Sequence, residues 1–104
     1  MAMYRSNSIW SDQLELECLL IMKKAEEKGF PRGLVTELCR QLAQEENIDE
    51  GTLKAKVGNY KSLAGYTKIT NASSATRHFF NKYGDLSAVS IEAIIRDMKN
   101  ETKV

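Results

Sequence analysis

The chain has 104 residues, with 15 basic and 14 acidic side chains and a formal net charge of +1. That length suits one domain around one core, and 42% hydrophobic with 28% charged residues is the balance of a globular protein rather than a disordered one. There is no apolar run of membrane-spanning length and MAMYRSNS lacks the apolar segment of a signal peptide, so the sequence predicts a cytoplasmic protein with no membrane contact.

The expected layout is a flexible N-terminus over 1–8, one helical domain over 9–100 and a frayed C-terminus over 101–104. The first helix starts at Ser11, an N-cap residue, with Asp12 adding negative charge to the first turn and Trp10 placed to staple onto it. Leu14, Cys18, Ile21, Met22 and Ala25 recur at helical spacing, and Leu16, Leu19 and Leu20 widen the stripe, so this helix is packed on two sides. Gly29 stops it. After Phe30-Pro31, the positions of Leu34, Val35, Leu38, Cys39 and Leu42 predict a second helix from about Arg32 to Glu46, with Asn47 as its C-cap.

Asp49 caps a third helix over Glu50–Leu63, whose apolar seam is Leu53, Val57, Tyr60 and Ala64. Its other face is read as polar and basic: Lys54, Lys56, Gly58, Asn59, Lys61 and Ser62. Gly58 costs about 1 kcal/mol relative to Ala, either as a plain weak spot or to allow close approach of a backbone or ligand. Residues 65–71 have no helical period and read as a loop or a short wing. Ser73 or Ser74 caps a fourth helix through about Tyr83, and Ser87 or Ser90 a last one with Ile91, Ile94, Ile95 and Met98 inward. The fold class expected is all-α: a single small domain of about five helices with a helix-turn-helix-like unit.

Charge is segregated along the chain. Residues 1–50 sum to −4, 51–84 to +6 and 85–104 to −1. The middle stretch, GTLKAKVGNYKSLAGYTKITNASSATRHFFNKYG, holds Lys54, Lys56, Lys61, Lys68, Arg77 and Lys82 and no carboxylate. A local cationic field attracts polyanions whatever the net charge, although lysines that only solubilise a face are common.

Catalytic and cofactor chemistry is not indicated. His78 is the single histidine, GTLKAKVGNYKS lacks the GK[ST] ending of a phosphate loop, and the carboxylates, Glu15 and Glu17 among them, read as exposed helix positions and caps. Two cysteines and one histidine, far apart, do not make a metal site, and Cys18 and Cys39 read as small buried hydrophobes kept reduced. The expectation is no enzyme activity, no metal and no cofactor.

The second and third helices with their short turn have the layout of a helix-turn-helix reader. In that arrangement Lys54, Lys56 and Lys61 meet phosphates, Asn59 and Ser62 reach base edges, and Lys68 and Arg77 hold the flanking backbone. Trp10 opening the first helix, the run Thr52-Leu53-Lys54-Ala55-Lys56-Val57-Gly58-Asn59-Tyr60-Lys61-Ser62-Leu63 and the helix start Asn71-Ala72-Ser73 resemble a small helical domain. It is found at the N-terminus of bacterial HNH-type restriction endonuclease-like proteins. The matching positions are Lys56, Asn59, Tyr60, Ser62, Leu63, Asn71 and Ser73, within roughly Trp10 to Tyr83. The resemblance implies a DNA-associated module of restriction or phage context. The nuclease part is absent from this sequence, so it does not imply cleavage. The alternative is a protein-interaction module, a homodimer, adaptor or inhibitor, using the apolar faces of the first and last helices.

Overall fold

The computed structural model describes residues 9–68 and 72–102. Five helices form: α1 (Asp12–Glu27), α2 (Leu34–Glu46), α3 (Glu50–Leu63), α4 (Ser74–Tyr83) and α5 (Ala88–Thr102). The all-helical fold class is as expected, and no strand occurs among the described residues. Residues 64–68 make a turn and a bend rather than a strand, while 69–71 and the N-terminal 1–8 lie outside the described residues.

The helix starts follow the side-chain chemistry. Ser11 Oγ accepts from the Leu14 amide, an Asp49 carboxylate oxygen from the Thr52 amide, Ser73 Oγ from the Thr76 amide and Ser87 Oγ from the Ser90 amide. The second helix begins later than expected, at Leu34, because Gly33 stands before it in the left-handed region at φ 85°.

Two helix ends are built alike. At the end of α1 the Phe30 amide donates to the Ala25 carbonyl and the Gly29 amide to that of Glu26, with Gly29 at φ 77°. At the end of α3 the Tyr66 amide donates to the Lys61 carbonyl and the Gly65 amide to that of Ser62, with Gly65 at φ 93°. Both are Schellman motifs, which need a residue tolerant of positive φ at the turn and fix the residue that follows it. In both, that residue is aromatic.

The central element is α1. It packs against each of the other four helices, and Leu14, Leu16, Cys18, Leu19, Leu20, Ile21, Met22 and Ala25 are all buried. This explains the width of its apolar stripe without a second protein. The core is completed by Cys39 and Leu42 from α2, Leu53, Val57 and Tyr60 from α3, Phe79 from α4, and Ile91 and Ile95 from α5. Around α1, α2 packs on α3 and α3 on α4, whereas α2 and α5 leave a groove between them.

Candidate nucleic-acid interface

The outward side of α3 differs from its expected composition. Lys56, expected on a solvent face, is buried, with 7% exposure. Its ammonium donates to Glu15 Oε2 at 3.1 Å and to Thr76 Oγ1 at 2.7 Å, and sits 4.2 Å from the centre of the Trp10 ring. Glu15 is likewise not on a solvated face; it is 1% exposed, and it also accepts from the Tyr60 hydroxyl at 2.7 Å. The Thr76 hydroxyl lies 3.2 Å from the same carboxylate oxygen, Oε1, and 3.0 Å from Ser73 Oγ. One buried polar cluster therefore joins α1, α3 and α4.

The physical reason is the cost of an unpaired buried charge. An ammonium and a carboxylate can leave water only together and only when their remaining hydrogen-bonding capacity is met. Here each has its partners, and no buried side-chain nitrogen or oxygen among the described residues lacks one. Lys56 is thus removed from the set of DNA-contacting candidates.

Ser62 is a second correction. It was expected to touch base edges, but it is buried and donates to the Lys68 carbonyl, closing the turn behind α3. With Lys56 and Ser62 inside, the residues of α3 left open to solvent are Gly51, Lys54, Ala55 and Gly58, with Asn59 and Lys61 half-buried at the edges. A Cβ built on Gly58 meets nothing within 4 Å.

The remaining predicted cations stay at the surface. Lys54, Lys68, Arg77 and Lys82 are exposed. Lys61 lies 4.5 Å over the Phe30 ring, a cation–π contact that holds its head group at the end of α3. Arg77 Nε donates to the Ala72 carbonyl at 3.3 Å, which ties its side chain to the start of α4. Lys54, Lys61, Lys68 and Lys82 form no ion pair among the described residues, in contrast to Lys23, Lys24, Arg40, Lys56 and Lys99. Lys54 and Lys61 lie two turns apart on one face, about 10 Å along the axis. Lys61 lies in the last turn of α3 and Lys68 in the turn that Ser62 closes behind it, whereas Arg77 and Lys82 are exposed on α4.

Residues not foreseen as part of this surface are Phe30 and Tyr66. Their ring centres are 4.8 Å apart in an edge-to-face arrangement, and Tyr66 is 50% exposed. The Tyr66 hydroxyl donates to Glu26 Oε2 at 2.7 Å, and Lys23 pairs with Glu26 Oε1 at 2.9 Å. The Lys23 bond, and then that of Tyr66, hold the Glu26 carboxyl below its usual range, while the same Glu26 contact raises the Tyr66 phenol. The sequence signal was present: Gly29-Phe30 and Gly65-Tyr66 each follow a helix.

On the opposite side, the groove between α2 and α5 has Leu20 and Leu42 buried at its base, Leu38 on its wall, and Val89, 73% exposed, at its lip. Glu17 lies along it, 4.0 Å from Lys99; burial raises its carboxyl above the ordinary range, with Lys99 opposing. Among the described residues no group of three or more His, Cys, Asp or Glu side chains is arranged to hold a metal ion, and no helix is long and apolar enough to cross a membrane.

No family model, curated protein or solved structure matches this chain. Among the positions behind the resemblance to the restriction endonuclease-like domain, Lys56, Tyr60, Ser62 and Ser73 all have structural partners here: the Glu15 cluster, the 64–68 turn and the α4 cap. Asn71 lies outside the described residues.

Proposed function

We propose that this chain is a non-catalytic DNA-binding module that engages the phosphate backbone through the outer side of α3, the turn after it and the start of α4. The observation that supports this most is the acid-free stretch from Gly51 to Gly84. It leaves Lys54, Lys61 and Lys68 without carboxylate partners on one helix and its turn, with Arg77 on the next helix. Cations that no carboxylate neutralises release counterions from a polyanion and bind it in a salt-dependent way. The α2–α3 pair, joined by Asn47, Ile48 and Asp49, agrees in connectivity with a helix-turn-helix unit. The solvent face of α3 is poor in base-reading side chains, with only Asn59 at its edge, so binding weakly dependent on sequence is expected. A restriction- or phage-related accessory role follows from the resemblance.

The test is fluorescence anisotropy with a labelled mixed-sequence duplex across a salt series. Lys54→Glu combined with Lys68→Glu changes two exposed side chains; the expected result is a large loss of affinity, a salt slope shallower by about 2, and an unchanged circular dichroism spectrum. Unaltered binding in that variant would remove the α3 face from the interface.

A protein-interaction role has one observation in its favour, the α2–α5 groove with Val89 exposed at its lip. A mass by light scattering that rises with concentration, and returns to the monomer value in Val89→Asp, would support a homodimer through that groove. A constant monomer mass counts against it.

A further inference from the structure

We infer that Tyr66 is a stacking platform for an unpaired base, so that the ligand of this surface is single-stranded DNA in preference to duplex; this rests on the DNA-binding reading above. Tyr66 is one of three large hydrophobic side chains that are exposed among the described residues, together with Ile9 and Val89, and it alone lies in the acid-free stretch. It is not a loosely held loop residue. Its backbone is fixed by the Schellman turn at Gly65, its ring edge-to-face with Phe30, and its hydroxyl by Glu26. Phe30 is fixed by the matching turn at Gly29, so two helix ends hold one aromatic pair. A ring held this way and still half open to solvent loses little conformational freedom when a flat ligand is laid on it.

The surroundings indicate what that ligand is. Lys61 touches the Phe30 ring, and Lys68, two residues beyond Tyr66, has its carbonyl bound by Ser62. One cation therefore contacts the aromatic pair, and a second, exposed, follows Tyr66 in the same turn. The nearby carboxylate of Glu26 is engaged by Lys23 and by Tyr66 itself. Aromatic rings set among cations along a backbone track are how single strands are bound, because every unpaired base offers a π-face and every linkage a phosphate. In a duplex the base faces are stacked inward and do not reach such a ring. The burial of Lys56 and Ser62 acts in the same direction, since it takes from α3 two of the side chains that could otherwise reach into a duplex groove.

The test compares labelled oligothymidylate with a mixed-sequence duplex at low salt, for the intact chain and for Tyr66→Ala and Tyr66→Phe, with folding followed by circular dichroism. The expected result is tighter binding of the single strand. Tyr66→Ala should lose it by about ten- to a hundred-fold while changing duplex binding little. Tyr66→Phe, which lacks the bond to Glu26 but keeps the ring, should retain it. Equal or tighter binding of duplex, or an affinity for oligothymidylate untouched by Tyr66→Ala, overturns the inference while leaving the DNA-binding reading standing. Loss in Tyr66→Phe equal to that in Tyr66→Ala also overturns it, since the hydrogen bond and not the ring would then be responsible. Binding of oligouridylate tenfold tighter than oligothymidylate overturns the assignment to DNA. No binding of any of these probes at low salt overturns the DNA-binding reading itself.

Discussion

Replacing Lys56 by Met isolates the buried cluster from the rest of the core. Met keeps the length and most of the volume of the lysine stem, so the change removes the charge and its two hydrogen bonds and opens little cavity. Glu15, 1% exposed, would keep the Tyr60 and Thr76 hydroxyls but lose its ammonium partner. Removing one member of a buried ion pair costs about 3–5 kcal/mol, and retention of the stem places Lys56→Met near 3. For a domain of this size each kcal/mol moves Tm by roughly 4–8 °C, so a fall of about 12–24 °C is expected. Glu15→Gln should cost a comparable amount, because it leaves the ammonium buried with Thr76 and the Trp10 ring. The double variant removes both charges and keeps an amide oxygen for Tyr60; it should be at least 2 kcal/mol more stable than the two single effects added together. Urea denaturation read by circular dichroism and by the single tryptophan, Trp10, measures all four proteins. A Lys56→Met variant within about 0.5 kcal/mol of the parent, the size of an ordinary surface change, or strictly additive single effects, would refute the burial of this pair.

Three further predictions follow from single sites. Gly58→Ala should stabilise the fold by about 1 kcal/mol, since the added methyl meets nothing within 4 Å; if the same change weakens DNA binding, the glycine serves close approach of the ligand. Glu17→Gln should stabilise the protein at neutral pH. Burial raises its carboxyl in the folded state, so its favourable contribution is complete below the unfolded-state value and is lost as pH rises through the folded one; the advantage of Gln should therefore shrink on acidification, which melting curves at acid and neutral pH will show. Burial pushes the Cys39 thiol up to about 11 and raises that of Cys18 further, so both should resist iodoacetamide in the native state and react only on unfolding, as mass spectrometry can follow.

The helices were legible because each carries an apolar repeat and a capping residue: Ser11, Asp49 and Ser73 mark three starts, and Gly29 and Gly84 two ends. The polar interior was not. Glu15 lies between Leu14 and Leu16, and Lys56 between Leu53 and Tyr60, so both sit inside apolar stripes. A helical period ranks positions by their neighbours, but it does not say that two opposite charges 41 residues apart pair with each other. Ser62 was misplaced for a related reason, since its partner is a backbone carbonyl in a turn without periodicity. The Phe30–Tyr66 pair depends on where the ends of α1 and α3 meet, a tertiary fact that each glycine–aromatic step only hints at. Of the residues the sequence nominates, Lys54, Lys68 and Arg77 are exposed, Asn59 and Lys61 half-buried, and Lys56 and Ser62 buried, because a helical period does not tell a solvent-facing polar residue from a satisfied buried one.

The most direct measurement is the affinity for DNA across a salt series, by anisotropy, for the intact chain and for Lys54→Glu with Lys68→Glu. Four contacts, from Lys54, Lys61, Lys68 and Arg77, predict a slope of log affinity against log salt of about −3 on a single strand and between −3 and −4 on duplex, reduced by about half in the double variant. Absence of binding at low salt, or a slope that the double variant leaves unchanged, would contradict a nucleic-acid surface on this side of the molecule.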